Sequence, residues 1–396
     1  MKTIVVLGAG LAAAPIIRQL MRTVVLKRKD MRMIVVAPNT HFHWPIAMPR
    51  VVVPGQLPDD KVMFPYDPIF REYPSDRFEF VLGSAASLDP EARVVTVGLN
   101  AGGDERAVPY DTLVVATGAS AKDDMPWKVL GTTARTTERL HRLQEDIKRA
   151  KTIVVAGGGL TGSETAGELG FEYARDGTKD VYFIYSGDVP LSSLPVLESV
   201  RKQTKHELER MGVKMMPNTT VTRATKSGDE TVLELRGADG TTKTLTTDAY
   251  VPTTGVTPNT SFAPAKMLDG RGYMKQTTRL QAEGYPDIFV VGDAGSLEAS
   301  KAMMATTQAT HLIKVLPAYL LAGDDGDGAR GELPEYQVNT KEMVGVTLGR
   351  SKGTGQMGTF KVFSFLIWWL KGRFLGTDYA AQLPAGKRTM MATLEK

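Results

Sequence analysis

The sequence predicts an α/β fold class: two Rossmann-like units, one inserted in the other, followed by a C-terminal α+β segment. Three observations predict it. A strand, a glycine turn and a helix follow one another over residues 2–22. The same order recurs over residues 151–170. A later apolar strand, residues 288–291, ends in Gly292-Asp293. The expected boundaries are 1–122 and 257–322 for the outer unit, 123–256 for the inserted unit and 323–396 for the remainder. A chain of 396 residues is long enough for two or three domains.

The first unit reads KTIVVLGAGLAAAPIIRQLMR. Its apolar run at residues 4–7 suits a strand covered on both faces of a parallel sheet. Gly8-Ala9-Gly10-Leu11-Ala12-Ala13 then matches G-x-G-x-x-G/A. Gly8 permits the tight turn, Gly10 lets a pyrophosphate approach the backbone, and Ala13 is small enough for close helix–strand packing. The helix start offers free N–H groups to phosphate. A structural glycine turn is the competing reading. The position at the N-terminal end of the chain favours FAD. One feature departs from the fingerprint: the second strand, residues 33–40, has Ala37 where an acid usually holds the ribose, leaving Asn39 or Thr40 to supply a neutral hydrogen bond.

The second unit reads KTIVVAGGGLTGSETAGELG. Gly157, Gly159 and Gly162 are in register, and Glu164 and Glu168 share one helix face. For Glu168 a solvated acidic face is the bland alternative. Two complete fingerprints about 150 residues apart imply two dinucleotides, FAD and NADH or NADPH. At the end of the next strand, residues 180–186, Tyr185 occupies the ribose position and Asp188 lies just past it. No Arg or Lys follows at once to take a 2′-phosphate, which favours NADH.

The remaining strands complete the pattern. Residues 110–118, YDTLVVATG, form a buried strand ending in Thr117-Gly118, and residues 248–255, DAYVPTTG, echo it and end in Gly255. In residues 288–294, IFVVGDA, Gly292 and Asp293 place a carboxylate to accept hydrogen bonds from a ribityl chain.

Composition narrows the chemistry. The chain has no cysteine, which excludes thiolate metal sites, disulfide scaffolds, cysteine nucleophiles and redox dithiols. Any electrons taken from a nicotinamide must therefore leave the flavin directly for the second substrate. The net charge of +4 is too small and too dispersed to suggest nucleic acid. No run of about 18 apolar residues spans a bilayer. No secretory signal precedes the first strand, and Lys2 excludes an N-terminal myristoylation site, so an intracellular protein, cytoplasmic or peripheral on a membrane, is expected. His41 and His43 flank Phe42 with no third ligand nearby, so no metal is expected and a hydrogen bond near the flavin competes with local packing. His141 and His206 read as solvated, and His311 lies on the helix after Lys301.

In motif order over residues 1–320 the chain resembles the FAD-dependent pyridine nucleotide oxidoreductases, and within them the apoptosis-inducing-factor-like, ferroptosis-suppressor branch, with type II NADH dehydrogenases as larger relatives. The strings Thr40-His41-Phe42-His43-Trp44, Arg50-Val51-Val52-Val53-Pro54-Gly55 and Phe365-Leu366-Ile367-Trp368-Trp369-Leu370-Lys371-Gly372 carry the resemblance to the branch. It implies that Gly8, Gly10, Leu11 and Ala13 hold the FAD pyrophosphate, with Arg50 near the phosphates. It further implies Ala85 at the adenine, Thr117 and Gly118 along the cofactor, and Asp293 on the ribityl chain. It places Gly157, Gly159, Gly162 and Glu164 on the NAD(P)H side, Glu168 at the nicotinamide amide, and Lys301 near the flavin ring. There a cation would stabilise developing negative charge; a surface lysine at a helix start is the alternative.

Residues 323–332, GDDGDGARGE, read as a surface loop. Beyond it, Phe360, Phe363, Ile367, Leu370 and Phe374 fit helical spacing, widened by Trp368 and Trp369 and flanked by Lys361, Lys371 and Arg373. This stretch suits a lipid headgroup boundary, or packing on the body or in a homodimer. The expected function is an NAD(P)H oxidoreductase passing hydride through FAD to a quinone-like acceptor. A flavin oxidase or dehydrogenase acting on a soluble small molecule, and an NADH-binding redox-signalling protein, are the alternatives.

Overall fold

A computed structural model of the chain describes residues 1–322 and 332–394. Most of the expected loop at 323–332 therefore lies outside the described residues. The chain folds as α/β, around two sheets.

The larger sheet has eight strands, in the order Gln281–Ala282, Tyr285–Val290, Thr112–Val115, Lys2–Leu7, Met31–Ala37, Phe78–Asp89, Val94–Leu99 and Glu105–Pro109. The five strands from Tyr285–Val290 to Phe78–Asp89 run parallel, with Val5 opposite Ile34 and Leu113. The apolar run at the N-terminus explains its central place. Ile4 and Val6 face one core cluster, shared with Ile16, Leu20 and Leu312 of the helices Ala13–Thr23 and Ala302–Ala322. Val5 and Leu7 face the other, shared with Val95 and Val108 of the antiparallel meander. With a period of two, such a strand is apolar at every position only when both faces are covered.

The inserted unit has a four-stranded parallel sheet, Lys214–Met216, Asp180–Ile184, Thr152–Ala156 and Ala249–Pro252. A three-stranded antiparallel sheet, Thr219–Ser227, Glu230–Gly237 and Thr242–Thr247, covers it through Leu233 and Leu235. The chain passes between the two units at an antiparallel pair, Ala119–Ala121 with Val256–Pro258.

The C-terminal part forms a small antiparallel sheet, Met343–Leu348, Lys352–Met357 and Phe360–Val362. A helical turn, Ser364–Ile367, follows and widens into a π-type turn, Trp368–Gly372. Helical spacing from Phe360 onward is therefore corrected: Phe360 belongs to a strand, and the helical part begins at Ser364. The apolar positions are not all core either. Ile367 is buried against Gly353 and Gly355, while Phe360, Phe363, Phe365, Trp369 and Leu370 are exposed.

Candidate active site

One cavity of about 1030 Å³ runs along the carboxyl ends of both parallel sheets and under the C-terminal segment. This is where an open α/β sheet places a ligand crevice.

The first glycine turn builds one arm. Gly8 has φ +100°, and a Cβ there would sit 2.3 Å from the Ala116 carbonyl oxygen. Only glycine fits. Gly10 differs: a Cβ on it would meet nothing within 4 Å, because it faces the cavity. Tyr66 donates its hydroxyl to the Ala9 carbonyl (2.7 Å), fixing the turn, and burial holds that phenol far above its ordinary pKa. Further along the arm lie Asn39, Ala85, Thr117 and Gly118. The Asn39 Oδ1 is buried and has no hydrogen-bond partner. Thr117 Oγ1 donates to the Asn259 carbonyl (2.7 Å), bracing the Thr-Gly turn against the return crossing.

Asp293 and Lys301 both line this arm, and each is ion-paired. Asp293 accepts from Lys128 Nζ, and Lys301 Nζ pairs with Glu342. Gly292 donates its N–H to Gln308 Oε1 (2.8 Å), whose amide in turn donates to Glu298 (2.8 Å). His43 also lines the cavity. Its Nε2 is buried and unpartnered, and burial, with Lys128 nearby, lowers the imidazole pKa to about 4, so it is neutral at pH 7.

The second arm comes from the inserted unit through Leu160, Thr161, Glu164, Thr253 and Gly255. The three fingerprint glycines stand just behind it and do not line the cavity. Gly157 (φ +121°) and Gly162 are crowded: a Cβ on Gly162 would lie 1.9 Å from the Gly157 oxygen. Gly159 is open. Tyr185 is buried with an unpartnered hydroxyl, its pKa pushed up to about 12 by burial, while Asp188 is exposed.

The third wall is the C-terminal segment, with Met343, Val344, Gly345, Leu370, Lys371 and Tyr379. Trp44 anchors it, donating its indole N–H to the Leu375 carbonyl (2.8 Å).

Two residues stand elsewhere than the family resemblance implies. Arg50 and Glu168 are both buried, do not line the cavity and bind each other, Nη2 to Oε1 at 2.7 Å. Each is committed to the other across two units of the chain, Arg50 from the helix Met48–Val51 and Glu168 from Leu160–Leu169. Glu168 is thus not a solvated acidic residue. Ala13, likewise off the cavity, packs in the core.

Sequence reasoning missed Lys128 and Tyr66. Lys128 follows the Thr-Gly strand by ten residues with no motif of its own, and Tyr66 lies in a connection between strands. Lys371 was visible only as a flanking charge.

The cavity and the second glycine turn behind it carry features that fit two dinucleotides. Gly10 leaves room against the backbone at the end of a strand. The orphaned Asn39 Oδ1 is a buried acceptor that a ribose hydroxyl would satisfy without the usual carboxylate. Gly159 repeats the open approach in the inserted unit. These residues fit FAD on the first arm and NAD(P)H on the second.

Comparison with known proteins agrees. The family model described as "Pyridine nucleotide-disulphide oxidoreductase" matches residues 2–311, across both units. The chain is similar to "Oxidoreductase ptaL" of Pestalotiopsis fici, 34% identical over 370 residues, covering 93% of this chain and 94% of that one. It is similar to "Ferroptosis suppressor protein 1" of Mus musculus, 26% identical over 340 residues, 84% of each chain. Among solved structures, NDH2 of Plasmodium falciparum in complex with NADH superposes with a TM-score of 0.75 at 12% identity, covering 98% of both chains. The sulfide:quinone oxidoreductase of Aquifex aeolicus superposes with a TM-score of 0.74 at 16% identity, covering 99% of this chain and 93% of that one. The chain belongs to the pyridine nucleotide-disulphide oxidoreductase family, as an oxidoreductase using FAD and NAD(P)H without a cysteine of its own.

Proposed function

We propose that the protein is an NAD(P)H:quinone-type oxidoreductase that works peripherally on a membrane. The observation that carries this reading is the shape of the cavity. Both glycine-turn units and the aromatic C-terminal segment wall one space, and no cysteine is available to relay electrons out of it. FAD, when bound, supplies the two-electron relay between donor and acceptor.

The chain's own groups do the rest. Gly8 and Gly10 shape the backbone that receives the pyrophosphate, and the N-terminus of Ala13–Thr23 offers it N–H groups. Asn39 would accept from the ribose and Asp293, held by Lys128, from the ribityl hydroxyls. Leu160, Thr161, Glu164 and Gly255 line the second arm and would be the residues that hold a nicotinamide there. Lys128 and Lys301 stand at the cavity wall, each paired with a carboxylate, Asp293 and Glu342, so the positive charge they would lend to the ring system or to an acceptor oxygen is partly offset by that partner. NADH is the favoured donor, since Tyr185, Ser186 and Gly187 offer no cation to a 2′-phosphate.

A greasy acceptor suits the third wall. Leu370 and Met343 line the cavity and are also exposed. They continue onto an outer face made of Phe363 (85% exposed), Phe365 (69%), Trp369 and Phe374, with Lys361 and Arg373 beside it. Such a face suits a headgroup boundary. None of the helices among the described residues is long and apolar enough to cross a membrane. The names of the sulfide:quinone oxidoreductase and of NDH2 with NADH support the same pairing of donor and acceptor.

Steady-state assays test the reading. NADH oxidation is expected to be fast with a soluble quinone analogue and slow with oxygen alone. Fast oxidation without quinone makes the protein an oxidase. A long-lived reduced complex that turns over with no quinone makes it a redox-signalling module.

A further inference from the structure

We infer that Arg50 and Glu168 are positioning residues for the acceptor wall of the cavity, acting through the turn at Leu370–Arg373. The inference rests on the function proposed above.

The geometry is a double clamp built on one helix, Leu160–Leu169. Glu164 and Glu168 lie one turn apart on it, and both are buried. Glu164 Oε1 accepts from Lys371 Nζ (2.6 Å) and from the Thr347 N–H (2.9 Å) and hydroxyl (3.1 Å). Lys371 Nζ also donates to the Gly345 carbonyl (2.8 Å). Glu168 takes one edge of the Arg50 guanidinium, Nε at 3.1 Å and Nη2 at 2.7 Å. The remaining donors of Arg50 reach the next two backbone carbonyls after Lys371, Gly372 at 3.0 Å and Arg373 at 3.4 Å. A planar five-donor fork suits such a junction, whereas a single ammonium does not reach all its acceptors at once.

Three parts of the chain meet there: the helix Met48–Val51 of the outer unit, the helix of the inserted unit and the C-terminal turn. Gly167 lets the inserted-unit helix approach the end of the strand Met343–Leu348, since a Cβ there would lie 3.0 Å from the Gly349 nitrogen and 3.2 Å from the Leu348 Cα. Lys371 and Leu370 line the cavity, while Arg50 and Glu168 stand behind them. Arg50 thus sets the backbone of the turn, Glu164 sets the Lys371 side chain, and one helix fixes both. An ordinary structural ion pair would tie two elements without touching a cavity wall.

The test uses the FAD-loaded protein and three variants. Arg50→Leu/Glu168→Leu removes both charges together, so that neither is left buried alone. Arg50→Lys keeps the charge and loses the fork. Glu168→Asp is the conservative control. In the double variant and in Arg50→Lys, FAD content and the anaerobic rate of flavin reduction by NADH are expected to stay within about twofold of the parent. The KM for a soluble quinone analogue is expected to rise about tenfold, and amide exchange in residues 364–376 to accelerate. Glu168→Asp is expected to recover most of the acceptor KM. Lost FAD with unchanged exchange at 364–376 would overturn the inference by making Arg50 a cofactor contact. Slowed flavin reduction at unchanged acceptor KM would overturn it by making Glu168 a nicotinamide contact. Unchanged acceptor KM with faster exchange would leave only a structural pair, again overturning it. If the double variant does not fold, Arg50→Lys carries the same readouts. A parent protein that NADH does not reduce contradicts the proposed function instead, and the exchange measurement still reads the clamp.

Discussion

The two glycine turns share a local design and differ in what they serve. In each, an open glycine stands beside crowded ones: Gly10 beside Gly8, and Gly159 beside Gly157 and Gly162. The crowded ones let strand and helix meet. The open ones leave the backbone bare toward a ligand. The helices that follow part company. Ala13–Thr23 presents apolar residues to the helix Ala302–Ala322 and meets the C-terminal segment at Gly386, whose missing side chain leaves room for the Ala14 carbonyl. Leu160–Leu169 carries two buried carboxylates: Glu164 binds Lys371 and Thr347 of the C-terminal segment directly, and Glu168 binds Arg50 of the outer unit, which in turn donates to the Gly372 carbonyl. One helix reaches its neighbours through apolar and backbone contacts; the other reaches the third wall through carboxylates, Glu164 directly and Glu168 through Arg50.

Variants can break or sharpen this contrast. The largest effect is expected from Gly10→Val, which places a side chain where the pyrophosphate approaches; it should fold and contain no FAD, read from the spectrum of the purified protein. Gly162→Ala should be the more damaging to the fold, by about 3 kcal/mol in denaturant unfolding, because its Cβ overlaps the Gly157 oxygen. Gly159→Ala in the same turn should leave stability near the parent value and weaken NADH binding. His43 gives a pH signature. Its pKa is about 4 folded against 6.5 in the free side chain, so the unfolded chain binds more protons between those values. Stability should therefore fall as pH drops from 6.5 towards 4, by up to about 3 kcal/mol, and stay flat above 6.5 on this account. His43→Asn should flatten that slope in pH-dependent melting. Asn39→Ala should loosen FAD about tenfold, the scale of one hydrogen bond, measured by flavin release. Phe363→Ser/Trp369→Ser should cut sedimentation with lipid vesicles while sparing the soluble-quinone assay.

The strands and both turns were legible in the sequence because their signals are local: four apolar residues, then glycines at fixed spacing. The acid missing at Ala37 was legible too, and Asn39 lies on the cavity as that gap suggests. The clamp was not legible. Arg50 and Glu168 are 118 residues apart, and Glu164 and Lys371 are 207 apart. No spacing rule links an acid on a nucleotide-fold helix to a carbonyl in a distant aromatic turn. Lys128 and Asp293 meet across 165 residues for the same reason. The C-terminal apolar pattern could be read, but not its division: Ile367 turns in against Gly353 and Gly355, which only the antiparallel sheet beneath explains.

The central claim is that one sulfur-free cavity joins a flavin and a nicotinamide. The visible spectrum of the purified protein under anaerobic conditions, before and after NADH, tests it most directly. The account predicts an oxidised flavin spectrum that bleaches within seconds of mixing. A protein that stays colourless after incubation with FAD, or a flavin that neither NADH nor NADPH bleaches, would contradict it.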